Sequence, residues 1–121
     1  MVAMKGEKKP INPGWDRYGQ LTYVPGVEVE DTVWTSGFVG SEDINGQSNY
    51  PQDTERQAEL TYGIISKVLA GADSSPGDVV KTLDYISPQC LLQYPKMAGV
   101  RREFFGERFP ASTCLLYTSD A

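Results

Sequence analysis

Residues Thr54–Thr82 read TERQAELTYGIISKVLAGADSSPGDVVKT, and this stretch decides the fold. Thr54 and Gln57 have the three-residue spacing of a capping box, which makes Thr54 the candidate N-cap. Ala58, Tyr62, Ile65 and Leu69 then recur at helical spacing, flanked by Leu60, Ile64 and Val68. So wide an apolar stripe predicts a helix lying flat on a sheet. Gly71 is a natural stop. Ser74-Ser75-Pro76 reads as an N-cap followed by proline at the first position of a short turn. Val79–Ile86 (VVKTLDYI) follows as a strand, its imperfect alternation suiting partial cover on both faces.

Working toward the N-terminus, Gly40–Gln52 is polar and contains Asn45-Gly46, so it is expected as a loop. Val29–Ser36 (VEDTVWTS) reads as a strand closed by Gly37. Tyr18–Val24 (YGQLTYV) reads as the strand before it, ended by Pro25-Gly26, and the two make a candidate hairpin. Residues 1–16 are rich in Lys, Gly and Pro without a hydrophobic period and are expected to be a flexible lead-in, with Met4 an alternative start. Toward the C-terminus a second helix is expected from near Pro95, carrying Met97, Val100, Arg101 and Phe104 on one side. Gly99 weakens it by up to ~1 kcal/mol and Gly106 ends it. Phe109-Pro110-Ala111 leads toward another strand. The order β-β-α-β-α-β describes an α+β sandwich with helices packed on one face.

Composition narrows the chemistry. The chain has 121 residues, 40% hydrophobic and 22% charged, which suits one globular domain. No apolar run is long enough to span a bilayer, and MVAMKGEKKP has no apolar signal region, so a cytoplasmic location and no membrane partner are expected. The net charge of −5 opposes generic nucleic-acid binding. Positive residues cluster at Lys5, Lys8 and Lys9 and at Arg101, Arg102 and Arg108. A basic tail and a solvated helix end are the favoured readings of these, with an anion-binding patch as the other. Two cysteines fit a reducing compartment. The absence of histidine removes Ser-His and Cys-His nucleophilic pairs and the commonest neutral metal ligand.

Four stretches resemble the Rid/YjgF family of reactive-intermediate deaminases. They are YGQ at Tyr18–Gln20, VWTSG at Val33–Gly37, the quoted Thr54–Thr82 block, and EFFGERFPAST at Glu103–Thr113. The helix-plus-DVVK block is the most specific. The resemblance implies a chorismate-mutase-like α+β fold, a homotrimer and active sites in clefts between subunits. It implies hydrolysis of short-lived enamines and imines to a keto acid and ammonia, with no metal or organic cofactor. In the family an Arg holds the substrate carboxylate by a bidentate pair and a late carboxylate positions water.

This sequence departs from that pattern where the chemistry matters. The family's Arg falls on Ser112, an Asn of the second helix on Ala98, a Ser on Gly19, and the Gln after SG on Phe38. Tyr18 and Gly37 match, and Cys114 matches a position that is often Cys. The candidate pocket residues are therefore Tyr18, Gly37, Phe38, Ser112 and Cys114, with the catalytic group unknown. Tyr18 is equally readable as an interface aromatic, Gly37 as a strand end, Ser112 as an ordinary strand serine; Trp34 and Glu103 read as core and surface, Cys90 as inert. Two functions fit: a deaminase whose preference is altered by Ser112, or a trimeric ligand-binding module without turnover.

The last eight residues, Cys114–Ala121, read CLLYTSDA. A transposase-type library adapter translated in one frame gives this string. The expected division is a lead-in over 1–16, an incomplete Rid-like domain over 17–113, and translated adapter over 114–121, with the last strands of the fold missing. The other reading is a genuine strand, since Leu115, Leu116 and Tyr117 are good β formers.

Overall fold

The computed structural model describes residues 6–44 and 46–116. Residues 1–5, within the expected lead-in, and residues 117–121, within the expected adapter, lie outside the described residues, as does Asn45 of the expected loop.

The N-terminal part departs from the flexible lead-in. Lys8–Ile11 forms strand β1, antiparallel to β2 (Gly26–Val29), which in turn pairs with β3 (Thr32–Thr35). Only Ile11 of β1 is buried. It packs against close backbone: a Cβ at Gly71 would meet Ile11 Cγ2 at 2.7 Å, and one at Gly26 would meet Ile11 Cδ1 at 3.5 Å. Pro10 is tolerated because β1 is an edge strand. The strand expected over Tyr18–Val24 is instead a 3-10 turn, Asp16–Gln20, followed by irregular chain. An Asx-type turn sets it up: Asn12 Oδ1 accepts from the backbone N–H of Gly14 at 3.1 Å and of Trp15 at 2.7 Å, and Gly14 takes a φ of 99°. The hairpin is real but shifted. Its strands are β2 and β3, joined at Glu30-Asp31, with Glu30 at a φ of 51°.

The polar Gly40–Gln52 stretch holds a surface hairpin, β4 (Glu42–Ile44) with β5 (Gln47–Asn49). Arg56 ties it to the following helix through Glu42, Nε to Oε1 at 2.7 Å. That helix, α1 (Thr54–Ala70), is capped by Asp53, whose side chain accepts from the Glu55 N–H at 3.1 Å. Thr54 is thus the first helical residue rather than the cap. It is buried, and its hydroxyl has no partner among the described residues. Gly71 ends α1, and Ser75-Pro76 opens a 3-10 turn, Pro76–Asp78, as the sequence predicts; the Asp78 carboxylate accepts from the Ser75 N–H at 3.1 Å.

Strand β6 (Lys81–Ile86) pairs in parallel with β7 (Ala111–Leu116), the crossover being a 3-10 segment, Pro88–Lys96, and helix α2 (Met97–Phe105). β7 runs on in one register through Cys114, Leu115 and Leu116. Gly106 closes α2 at a φ of 67°. The core joins the two helices. Ala58 and Tyr62 of α1 meet Met97 and Phe105 of α2, with Ile65, Val79 and Phe104 packed around them. Tyr62 stacks on Phe104 at 4.6 Å between ring centroids. The architecture is α+β, with three short hydrogen-bonded sheets among the described residues and two helices against them.

Candidate functional site

The expected pocket residues fall into two groups. Tyr18, in the Asp16–Gln20 turn, is buried; its hydroxyl accepts from Arg17 Nη2 at 3.2 Å. Its ring meets Trp15 and Tyr23 at centroid distances of 6.1 and 5.8 Å, and Phe38 meets the same Trp15 edge-on at 6.3 Å. Gly37 lies next to Phe38, exposed, with no atom within 4 Å of a Cβ built there. Tyr18 also lines a hollow of about 560 Å³ with Lys8, Leu21, Tyr23 and Ser36.

Ser112 and Cys114 lie far along the chain on β7. The parallel register sets Ser112 beside Thr82 and Cys114 beside Asp84, so all four share one face with Ile86. The Thr82 and Ser112 hydroxyls are 3.1 Å apart. No hydrogen bond or aromatic contact among the described residues joins this group to Tyr18 and Phe38.

A network on this second face went unread in the sequence. Arg101 of α2 donates through Nη1 to Asp84 Oδ2 at 3.2 Å and to the Tyr62 hydroxyl at 2.9 Å. Tyr94 donates to the same Asp84 oxygen at 3.1 Å. The Arg101 and Asp84 side chains are only 16% and 15% exposed, so Arg101 is not the solvated helix-end charge that the sequence suggests. Its guanidinium also lies 5.1 Å over the Phe105 ring. Arg102 and Arg108 are exposed, as expected.

The electrostatics follow from that packing. Burial raises the Tyr62 phenol above its ordinary value and the Asp84 charge adds to this, while Arg101 opposes it. Burial likewise raises Tyr94, helped by the Asp84 charge and the nearby Cys114 thiol. Both hydroxyls therefore stay protonated near neutrality, Tyr94 donating to Asp84 and Tyr62 accepting from Arg101. The signal for this network was Asp84 itself. In VVKTLDYI it alternates onto the face of buried Ile86, and a carboxylate there needs partners.

Beside the network lies a cavity of about 350 Å³, lined by residues that include Tyr94, Met97, Ala98, Arg101, Arg102 and Phe109. Among the described residues its wall carries two guanidinium groups and no carboxylate. The arrangement can hold a small ligand between an apolar body and a cationic corner.

Comparisons with known proteins agree with this fold. TdcF of Escherichia coli, whose name assigns it provisionally to the reactive intermediate deaminases, is 28% identical over 96 residues, covering 77% of this chain and 71% of its own. A solved structure of E. coli TdcF with bound serine is 27% identical, with a TM-score of 0.72 over 90% of this chain and 85% of that one. Rv2704 of Mycobacterium tuberculosis, from the YjgF/YER057c/UK114 family, shares the fold at a TM-score of 0.74 and 20% identity, over 93% of this chain and 86% of its own. The family model described as Endoribonuclease L-PSP matches residues 18–117, which takes in α1, β6, α2 and β7 together, and by that match the chain belongs to the YjgF/Rid family.

Proposed function

We propose that the chain is a Rid-type hydrolase that converts reactive enamines and imines to a keto compound and ammonia, its substrate preference altered by Ser112. The reaction adds one water across the C=N bond. The nitrogen gains the protons, the carbon becomes a carbonyl, and ammonia leaves. The observation that carries this reading is the Tyr94–Asp84–Arg101 network beside the cavity, on the face that also carries Ser112 and Cys114. Tyr94, whose proton is held by Asp84, presents its hydroxyl oxygen as an acceptor for a water at the cavity edge. Membership of the family and the serine bound by TdcF support a small polar substrate. Ala98, where the family's Asn falls, lines the same cavity.

The assembly proposed is a homotrimer. Its support is the opposite face of the β6–β7 pair, where Leu83, Tyr85 and Leu115 stand exposed in a row. An apolar stripe of this kind marks a surface made to be covered. The net charge of −5 weighs against nucleic acid as a partner. Among the described residues no helix is long and apolar enough to cross a membrane.

A second reading, a ligand-binding module without turnover, rests on Ser112 standing where the family has an Arg. Ammonia release from freshly generated imines separates the two. Acceleration over buffer is expected, with a gain on carboxylate-bearing substrates in Ser112→Arg. No acceleration by either protein, with a ligand-dependent rise in melting temperature, selects the binding module.

A further inference from the structure

Asp84 is answered on one oxygen only. Arg101 Nη1 and the Tyr94 hydroxyl both donate to Oδ2, at 3.2 and 3.1 Å, and Oδ1 has no hydrogen-bond partner among the described residues. The parallel register sets this carboxylate beside Cys114, on the face that also carries Ser112. Cys114 and Ser112 are exposed, so this edge of the sheet is open to solvent. Ser112 brings no charge, and its hydroxyl is already shared with Thr82 at 3.1 Å. Arg101 reaches the face as half of an ion pair, its charge cancelled by Asp84. Arg102 is exposed, and solvent screens its charge. A substrate carboxylate placed against Ser112 and Cys114 meets a like charge at Asp84 and a neutral hydroxyl at Ser112. The N–H of an imine meets an acceptor there instead.

We propose that this face takes imines that carry no carboxylate, with Asp84 Oδ1 accepting the hydrogen bond from the imine or iminium N–H. Asp84 is the specificity residue: it favours the cationic iminium and repels an acid-bearing substrate. Water adds to the iminium carbon and forms the C–O bond. The C–N bond then breaks and both water protons pass to nitrogen. Ammonium leaves, and the other product is an aldehyde or ketone rather than a keto acid. The inference deepens the hydrolase reading and rests on it for turnover.

The test pairs two imines with the same side chain, each generated in the assay by a flavin oxidase with catalase present: the imine of phenethylamine and the imino acid of phenylalanine. The full chain is expected to accelerate ammonia release at least about tenfold more for the carboxylate-free imine. Benzamidine, a stable planar mimic of the iminium, and benzoate are titrated in parallel by calorimetry. Benzamidine should bind at least about tenfold more tightly. Asp84→Asn should abolish both preferences, because it removes the repelling charge and leaves Arg101 unanswered. Cys114→Lys, at an exposed position beside Asp84, should weaken benzamidine several-fold and covers the case in which the Asn variant fails to fold. Glu107→Gln, the same change in net charge at an exposed position beyond α2, should keep both preferences. If either imine is turned over, the rates decide: equal rates, or a faster imino acid, defeat this inference alone. If neither is turned over, the affinities decide: a benzamidine preference that Asp84→Asn removes defeats only the hydrolase reading, and no preference defeats both. A preference that survives the Asp84 and Cys114 changes also overturns the proposal.

Discussion

At the scale of single residues, the fold holds a nearly buried ion pair whose members depend on each other. Asp84→Ala leaves the Arg101 guanidinium without its counter-charge in a half-closed site, and a loss of about 3 kcal/mol is expected in urea unfolding. The paired change Asp84→Leu with Arg101→Met should recover most of it, because the desolvation of both charges disappears together. The raised phenols give a pH signature. Tyr62 and Tyr94 hold their protons more tightly folded than unfolded, so their contribution is intact below the ordinary phenol value of 10.0. It is lost as pH climbs through the higher folded values. Melting temperature against pH should fall on that alkaline side, and Tyr62→Phe or Tyr94→Phe should flatten the fall. Spacing puts Asp84 on the buried face but does not show its partners. Arg101 sits at the helix end where a cation is usually solvated, and only the packing of Tyr62 and Asp84 against it shows otherwise. Of the expected pocket residues, Ser112 and Cys114 could be joined to a site because the family motif carries them. The residues that pair with them across the sheet come from register, which a single sequence does not state.

At the scale of elements, α1 was legible because its periodicity, its stop at Gly71 and the Ser75-Pro76 turn agree with one another. The cap was misplaced by one residue because Asp53 and Thr54 are both good caps. β1 was not legible: it buries a single side chain, so it has no alternation to read. Tyr18–Val24 looked like a strand on β propensity, but the turn built by Asn12 and Gly14 overrides it. Two glycines of this region make opposite predictions. At Gly40 a Cβ would meet Gln57 O at 2.5 Å and Thr61 N at 2.7 Å, both in α1 backbone that cannot move away. Gly40→Ala should cost about 1–3 kcal/mol. Gly63 is exposed in the middle of α1 with nothing near its Cβ position, so Gly63→Ala should stabilise by about 0.5–1 kcal/mol. Paired thermal melts check both signs.

At the scale of the whole molecule, the outward face of β6 and β7 predicts assembly. Sedimentation equilibrium is expected to give three times the mass of the 13.3 kDa chain. Tyr85→Glu, which sets a charge in the middle of the apolar row, should shift that mass toward one chain, whereas Lys81→Glu at the polar end of the strand should shift it less. A final consequence lies in time rather than in space. The strands that carry Asp84, Ser112 and Cys114 are parallel, and partners such as Thr82 and Ser112 are 30 positions apart, with a 3-10 segment and α2 threaded between them. Local elements close quickly, while a pairing of that span must wait for its crossover. A nascent chain therefore completes α1 and the β1–β2–β3 sheet while β6 still shows a bare edge. The β6–β7 pairing is the last part to arrive, and the interval before it does is when neighbouring copies are most exposed to mispairing.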